Sequence, residues 1–259
     1  MKKVLIFTDS RGEHKLTFKN KQIFTEKITN FLKSKGYEVD MMLCPYCWTS
    51  TLDFIELIEN KIIDVNDYDK IILYTGVVEF SPRPLSNFDA CYNPENIETI
   101  TYDRLYKKPK IINSKKSFFE NFIPKHLLKK HLTDTYNVIY QNEDTRSLIS
   151  LDINKNVVLP YLKNLEKKII YINSNKIVPD WEGNYILKNK NGRPKNINVI
   201  EEYAAQMKRW NFTHFIDLSK WSHEDIKKYT VDNMHLSYEG SEWIFNKLVS
   251  FFNQIDLNS

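Results

Sequence analysis

Cysteine occurs only three times in the 259 residues. An odd, low count excludes a disulfide framework and fits a reducing compartment, so a cytoplasmic location is expected. No apolar run approaches the ~18 residues a membrane helix needs. The first run, Val4–Phe7, stops at Thr8-Asp9, short of the ~7–15 residues of a signal-peptide core, and reads instead as a strand. Charge of one sign is not in excess: 37 Lys+Arg against 33 Asp+Glu gives +4, which offers no argument for a nucleic-acid partner. Glycine is scarce at 6, a background bias without functional content. Internal repeats and low-complexity tracts are absent. What is present is an ordinary globular balance, 42% hydrophobic and 27% charged, in a chain long enough to bury roughly 70–75% of its unfolded surface.

Apolar periodicity alternates between strand and helix. Val4–Phe7 is a short, wholly apolar strand suited to burial on both faces of a parallel sheet. Phe24, Ile28, Phe31 and Leu32 mark a helix that Gly36 closes, and Tyr37–Leu43 reads as the next strand. Ile55, Ile58 and Ile62 mark a second helix, and Lys70–Tyr74 a third strand ending at Gly76. This β-α-β-α-β order implies right-handed crossovers and a parallel sheet. Residues of about 86–155 break the rhythm with several prolines and a helix around Lys116–Leu132, and read as an insertion in a single 1–259 domain. A helix near Asn156–Glu166, the strand Lys168–Ile172, a loop with a small hairpin at Asn191-Gly192, a helix near Val199–Trp210, the strand Thr213–Leu218 and a last helix through Ile244, Leu248 and Phe252 complete the pattern.

In such a sheet, ligands bind beyond the carboxyl ends of the strands. Ser10, directly after the first strand, and Asp232 and His235, just before the last helix, supply a nucleophile, a base and the carboxylate that holds the base's tautomer. Asp232 precedes His235 by three residues, so one turn can present both. Asp9 is placed to orient the Ser10 loop. Asp-Ser after the first strand, Gly76 after the third and Asp-x-x-His before the last helix resemble the SGNH hydrolase superfamily of GDSL-type esterases and lipases. The resemblance covers roughly residues 1–85 and 168–255. It implies a three-layer α/β/α sandwich with a central parallel sheet, a Ser10–His235–Asp232 triad, and acyl transfer, commonly of acetyl groups on carbohydrates, without metal or organic cofactor.

The sequence departs from the family pattern on the oxyanion side. Thr8 replaces the usual Gly before Asp-Ser, Leu43–Thr51 contains no Gly, and Gly76-Val77-Val78-Glu79 puts Val78 where an Asn would donate. One lost oxyanion donor costs on the order of 10²–10³ in rate. Arg83, between Pro82 and Pro84, is the candidate replacement, with Glu79 to orient it or to bind substrate hydroxyls. Arg11 can meet an anionic substrate or lie on a solvated surface.

The expected activity is that of a serine esterase on a carbohydrate or glycoconjugate ester. The alternatives are an O-acyltransferase using the same triad and a catalytically altered saccharide-binding module. Cys44-Pro45-Tyr46-Cys47 matches a glutaredoxin-type tetrapeptide, but sits after the second strand of a longer α/β run; lining the cleft together with Trp48 is the alternative. Cys91 and six scattered histidines do not form a spaced metal set. Trp181 suits stacking on a sugar face or packing under its own loop, and Trp221 and His223 can shape the cleft. His14 lies near the nucleophile. Lys115-Lys116 and Lys129-Lys130 are expected on solvated helix faces.

Overall fold

A computed structural model describes residues 2–13, 21–46, 48–93, 115–181, 183 and 193–257. Strand β1 (Lys3–Thr8) leads through a 3-10 turn, Ser10–Gly12, to helix α1 (Phe24–Ser34). Strand β2 (Glu38–Leu43), helix α2 (Thr51–Glu59) and strand β3 (Lys70–Tyr74) follow. After β3 come α3 (Val77–Phe80), the two-residue β4 (Arg83–Pro84), α4 (Leu85–Tyr92), α5 (Lys116–Phe122), α6 (Lys125–Thr133) and β5 (Thr145–Arg146). Helices α7 (Leu151–Ile153) and α8 (Leu159–Asn164) run together through a π-helical turn at Asn154–Val158. The chain closes with β6 (Ile169–Ile172), α9 (Val199–Arg209), β7 (Phe215–Ile216), α10 (His223–Tyr229) and α11 (Tyr238–Leu257).

The main sheet has the order β2-β1-β3-β6-β7, with every pairing parallel. Alternation along each strand divides the core. Leu5, Phe7, Ile71, Leu73, Ile169 and Tyr171 pack on one face with α2, α4, α5, α8 and α9. Val4, Ile6, Ile72, Ile170 and Ile172 pack on the other with α1, α10 and α11. These strands are apolar throughout because both faces are covered. The result is the expected three-layer α/β/α sandwich. The order places the topological switch between β1 and β3, and their carboxyl ends are where a ligand site belongs.

Several local expectations are corrected. The single helix at 116–132 is two, because Pro124 excludes the helical conformation at Ile123, which is extended (φ −89°, ψ 132°). Ile62 lies beyond the end of α2 and is 63% exposed. The strand at 213–218 shortens to Phe215–Ile216, with Leu218 in a 3-10 turn. Lys115 is not on a solvated face: it is fully buried and paired with Asp53 of α2. Between residues 86 and 155, Phe88, Phe119, Ile123 and Leu148 join the same core as β1, β3 and β6. The expected hairpin at 191–192 lies outside the described residues.

Candidate active site

Ser10 is held by what surrounds it. The Asp9 N–H donates to Tyr74 O at 2.9 Å, which carries the β1–β3 ladder one step past the strand. The Asp9 carboxylate then accepts from the Arg11 N–H at 3.0 Å and from the Arg11 guanidinium at 2.9–3.2 Å. Arg11 also donates to Thr75 O at 2.8 Å and stacks 3.9 Å from the Tyr74 ring centre. A buried ion pair thus pins both ends of the Ser10 turn to the end of β3, leaving Ser10 half-buried between them. Gly12 completes the reversal; a Cβ there would stand 2.1 Å from Thr8 Oγ1. Arg11, at 1% exposure, lies neither on a solvated surface nor within reach of a substrate.

The turn before α11 is equally determined. Thr230 and Leu236 form an antiparallel bridge, and the Val231 N–H donates to His235 O at 2.8 Å. Inside this loop, Asp232 Oδ1 accepts from the backbone N–H groups of Met234 (3.1 Å) and His235 (2.7 Å). Its Oδ2 meets His235 Nδ1 at 2.9 Å and accepts from Arg193 Nη2, also at 2.9 Å. Burial by itself would raise the Asp232 carboxyl, but His235, Arg193 and the backbone donor hold it down at about 2. His235 Nε2 stands 3.5 Å from Ser10 Oγ. Ser10, His235 and Asp232 therefore stand in one row, although 225 positions separate the serine from the histidine.

Asn233 sits in the left-handed region (φ +71°), where Asn is better tolerated than most residues. Its side chain accepts from the Val178 N–H at 2.6 Å and donates to the carbonyls of Val178 and Trp181. Asn175 Nδ2 donates to Asn233 O at 2.8 Å. The loop after β6 is thereby tied to the histidine turn.

After β3, Gly76 has φ +113°, and a Cβ there would stand 2.4 Å from the Tyr203 ring. Glycine is required at this position on both counts. Glu79 is fully buried and does not reach a substrate or Arg83: its carboxylate accepts from the N–H groups of Thr51 and Leu52 and from Thr51 Oγ1, at the start of α2. Burial pushes its carboxyl up to about 7, against those donors. Arg83 donates from Nη2 to Val78 O at 3.0 Å, and its guanidinium lies 4.6 Å from the Trp48 ring centre. The segment after β2 has no glycine, yet Cys44 (φ +45°) and Trp48 (φ +59°) both adopt the left-handed conformation that glycine favours.

Cys44 is buried, and its Sγ contacts Tyr46 O at 3.6 Å; Cys47 and His14 lie outside the described residues. Trp181 is partly buried against the α1–α11 core, while Trp221 is buried beside Tyr229 and Trp243, away from an open surface. His223 is exposed at the start of α10. Among the described residues no group of three His, Cys, Asp or Glu could hold a metal ion, and no helix is long and apolar enough to cross a membrane. Sequence reasoning missed Arg193 and Asn233. Only the Asn233 turn propensity offered a signal; nothing marks Arg193.

No protein-family model and no curated protein sequence matches the chain. Among solved structures, it is similar to a lipase/acylhydrolase from Enterococcus faecalis at 15% identity, with 96% of this chain and 94% of that one covered and a TM-score of 0.52. An acetyl xylan esterase aligns at 14% identity over 96% and 98% of the two chains, with a TM-score of 0.47. A catalytic mutant of an acetylxylan esterase from Geobacillus stearothermophilus aligns at 10% identity over 96% and 93%, also with a TM-score of 0.47. The chain thus shares the fold of the Enterococcus faecalis lipase/acylhydrolase, the α/β/α sandwich that its resemblance to the SGNH hydrolases implies.

Proposed function

We propose that the chain is a serine ester hydrolase that removes acyl groups, acetyl in the first place, from a carbohydrate or glycoconjugate. The observation that carries this reading is the row Ser10–His235–Asp232 at the switch point between β1 and β3. Ser10 Oγ attacks the ester carbonyl while His235 Nε2 takes its proton. The same imidazolium then protonates the departing alkoxide. Asp232, kept ionised by its four donors, fixes the imidazole through Nδ1 and stabilises the cation that forms. Water, activated by His235, releases the acyl group and regenerates Ser10. The 3.5 Å separation of Ser10 and His235 is that of a resting pair, which tightens when substrate displaces solvent.

Charge on the tetrahedral oxygen falls to the Ser10 N–H and to Arg83, with Gly76 leaving the room. The Trp48 ring beside Arg83 suits the C–H face of a sugar. Val78, in place of a donor, favours a second reading: a slower acyltransferase or a saccharide-binding site on the same scaffold.

Hydrolysis of p-nitrophenyl acetate by wild type and Ser10→Ala tests the assignment. Turnover that disappears in a folded Ser10→Ala protein supports it; turnover retained in that variant removes Ser10 from the chemistry. Acyl transfer to an added sugar in preference to water would select the transferase reading. For Arg83→Ala, kcat is expected to fall by roughly 10²-fold, the order for one oxyanion donor, with folding intact. Unchanged kinetics would take Arg83 out of the site.

A further inference from the structure

We propose that Arg193 is a positioning residue for the catalytic turn, filling the one donor place on Asp232 that the turn leaves open. The inference rests on the triad reading above. A carboxylate offers about four lone-pair positions. At Asp232 all four are taken: the N–H groups of Met234 and His235 on Oδ1, and His235 Nδ1 and Arg193 Nη2 on Oδ2. Three of these donors lie within residues 232–235 and come with the turn itself. The fourth arrives from 39 positions earlier in the chain.

The geometry makes that fourth donor consequential. The Asp232 side chain is 1% exposed, so water has little access to the oxygen that Arg193 serves. That oxygen is the one paired with His235 Nδ1. Without Arg193, one of its lone pairs is buried without a donor, and the carboxylate gains by rotating or by admitting solvent. Either change loosens the Asp232–His235 bond and, through it, the aim of Nε2 at Ser10. Arg193 itself is 31% exposed, and its Nη2 is bound to the Asp232 carboxylate. It therefore acts through Asp232, and its guanidinium also keeps that carboxylate charged.

The test compares wild type, Arg193→Ala and Arg193→Lys as full-length chains. Three quantities are read: the second-order rate of fluorophosphonate labelling at Ser10, the proton NMR resonance of His235 Nδ1–H, and the thermal unfolding midpoint. Labelling by Arg193→Ala is expected to slow by roughly ten- to hundredfold, as for misaimed groups, while the midpoint stays within a few degrees. The Nδ1–H resonance should move or broaden. Arg193→Lys, or soluble guanidinium added to Arg193→Ala at non-denaturing concentration, should recover part of the rate. Wild-type labelling with an unmoved resonance in Arg193→Ala would overturn the proposal. So would a rate loss matched by unfolding in both variants. A wild type that takes no label defeats the triad reading instead, and the resonance then still decides whether Arg193 orders the Asp232–His235 pair.

Discussion

Glu79 is an acid buried at the start of a helix, and its carboxyl at about 7 has a defined consequence for stability. An unfolded Glu titrates near ~4.3. Between that value and about 7 the folded chain binds the extra proton, so the stabilisation is complete below the unfolded value and is lost as pH rises through 7. The loss is on the order of 3 kcal/mol. Glu79→Gln keeps an acceptor for Thr51 and Leu52 but cannot ionise. Its denaturation free energy should match wild type near pH 4.5 and exceed it at pH 8, and an unchanged pH slope would contradict this. Asp232 has the opposite sign. Held at about 2, its contribution is complete above the unfolded value near ~3.9 and is lost as pH falls through 2. The two residues read alike in sequence, each one acid in a segment that follows a strand or precedes a helix. Their environments part them: one carboxylate has four donors including a cation, the other has uncharged donors under a buried helix end.

At the scale of elements, Lys115 ties α5 to α2 through Asp53, which also accepts from Ser50 at the α2 N-terminus. Breaking one partner of such a buried pair costs about 3–5 kcal/mol, because the other charge stays desolvated. Lys115→Met alone should lower stability by that amount in chemical denaturation, and Asp53→Asn added to it should restore most of it. Equal stability of wild type and Lys115→Met would show that the pair does not bear on the fold. Strands β1, β3 and β6 were legible in sequence because burial on both faces leaves wholly apolar runs. Helix α1 was legible from its single apolar stripe. The burial of Lys115 was not, since a lysine that meets a distant carboxylate looks like any surface lysine until the chain is folded. The left-handed Cys44 and Trp48 escaped notice for a related reason: the backbone there takes a glycine-like shape without a glycine.

For the whole molecule, the sheet order does the positioning. The strand order reverses between β1 and β3, and there the chain brings together Ser10 from the end of β1 and the Asp232–His235 turn from the far end of its sequence. Their adjacency was legible from residue type and from the element ends on which they stand. That of Arg193 and Asn233 was not, because their partners are fixed only by tertiary contact. Intact-mass analysis after fluorophosphonate treatment decides whether Ser10 is an activated nucleophile. Wild type should gain one adduct per chain, mapped to the peptide carrying Ser10, with none in Ser10→Ala and strongly slowed labelling in His235→Ala. A folded wild type that gains no adduct, or an adduct that persists in Ser10→Ala, would contradict the account.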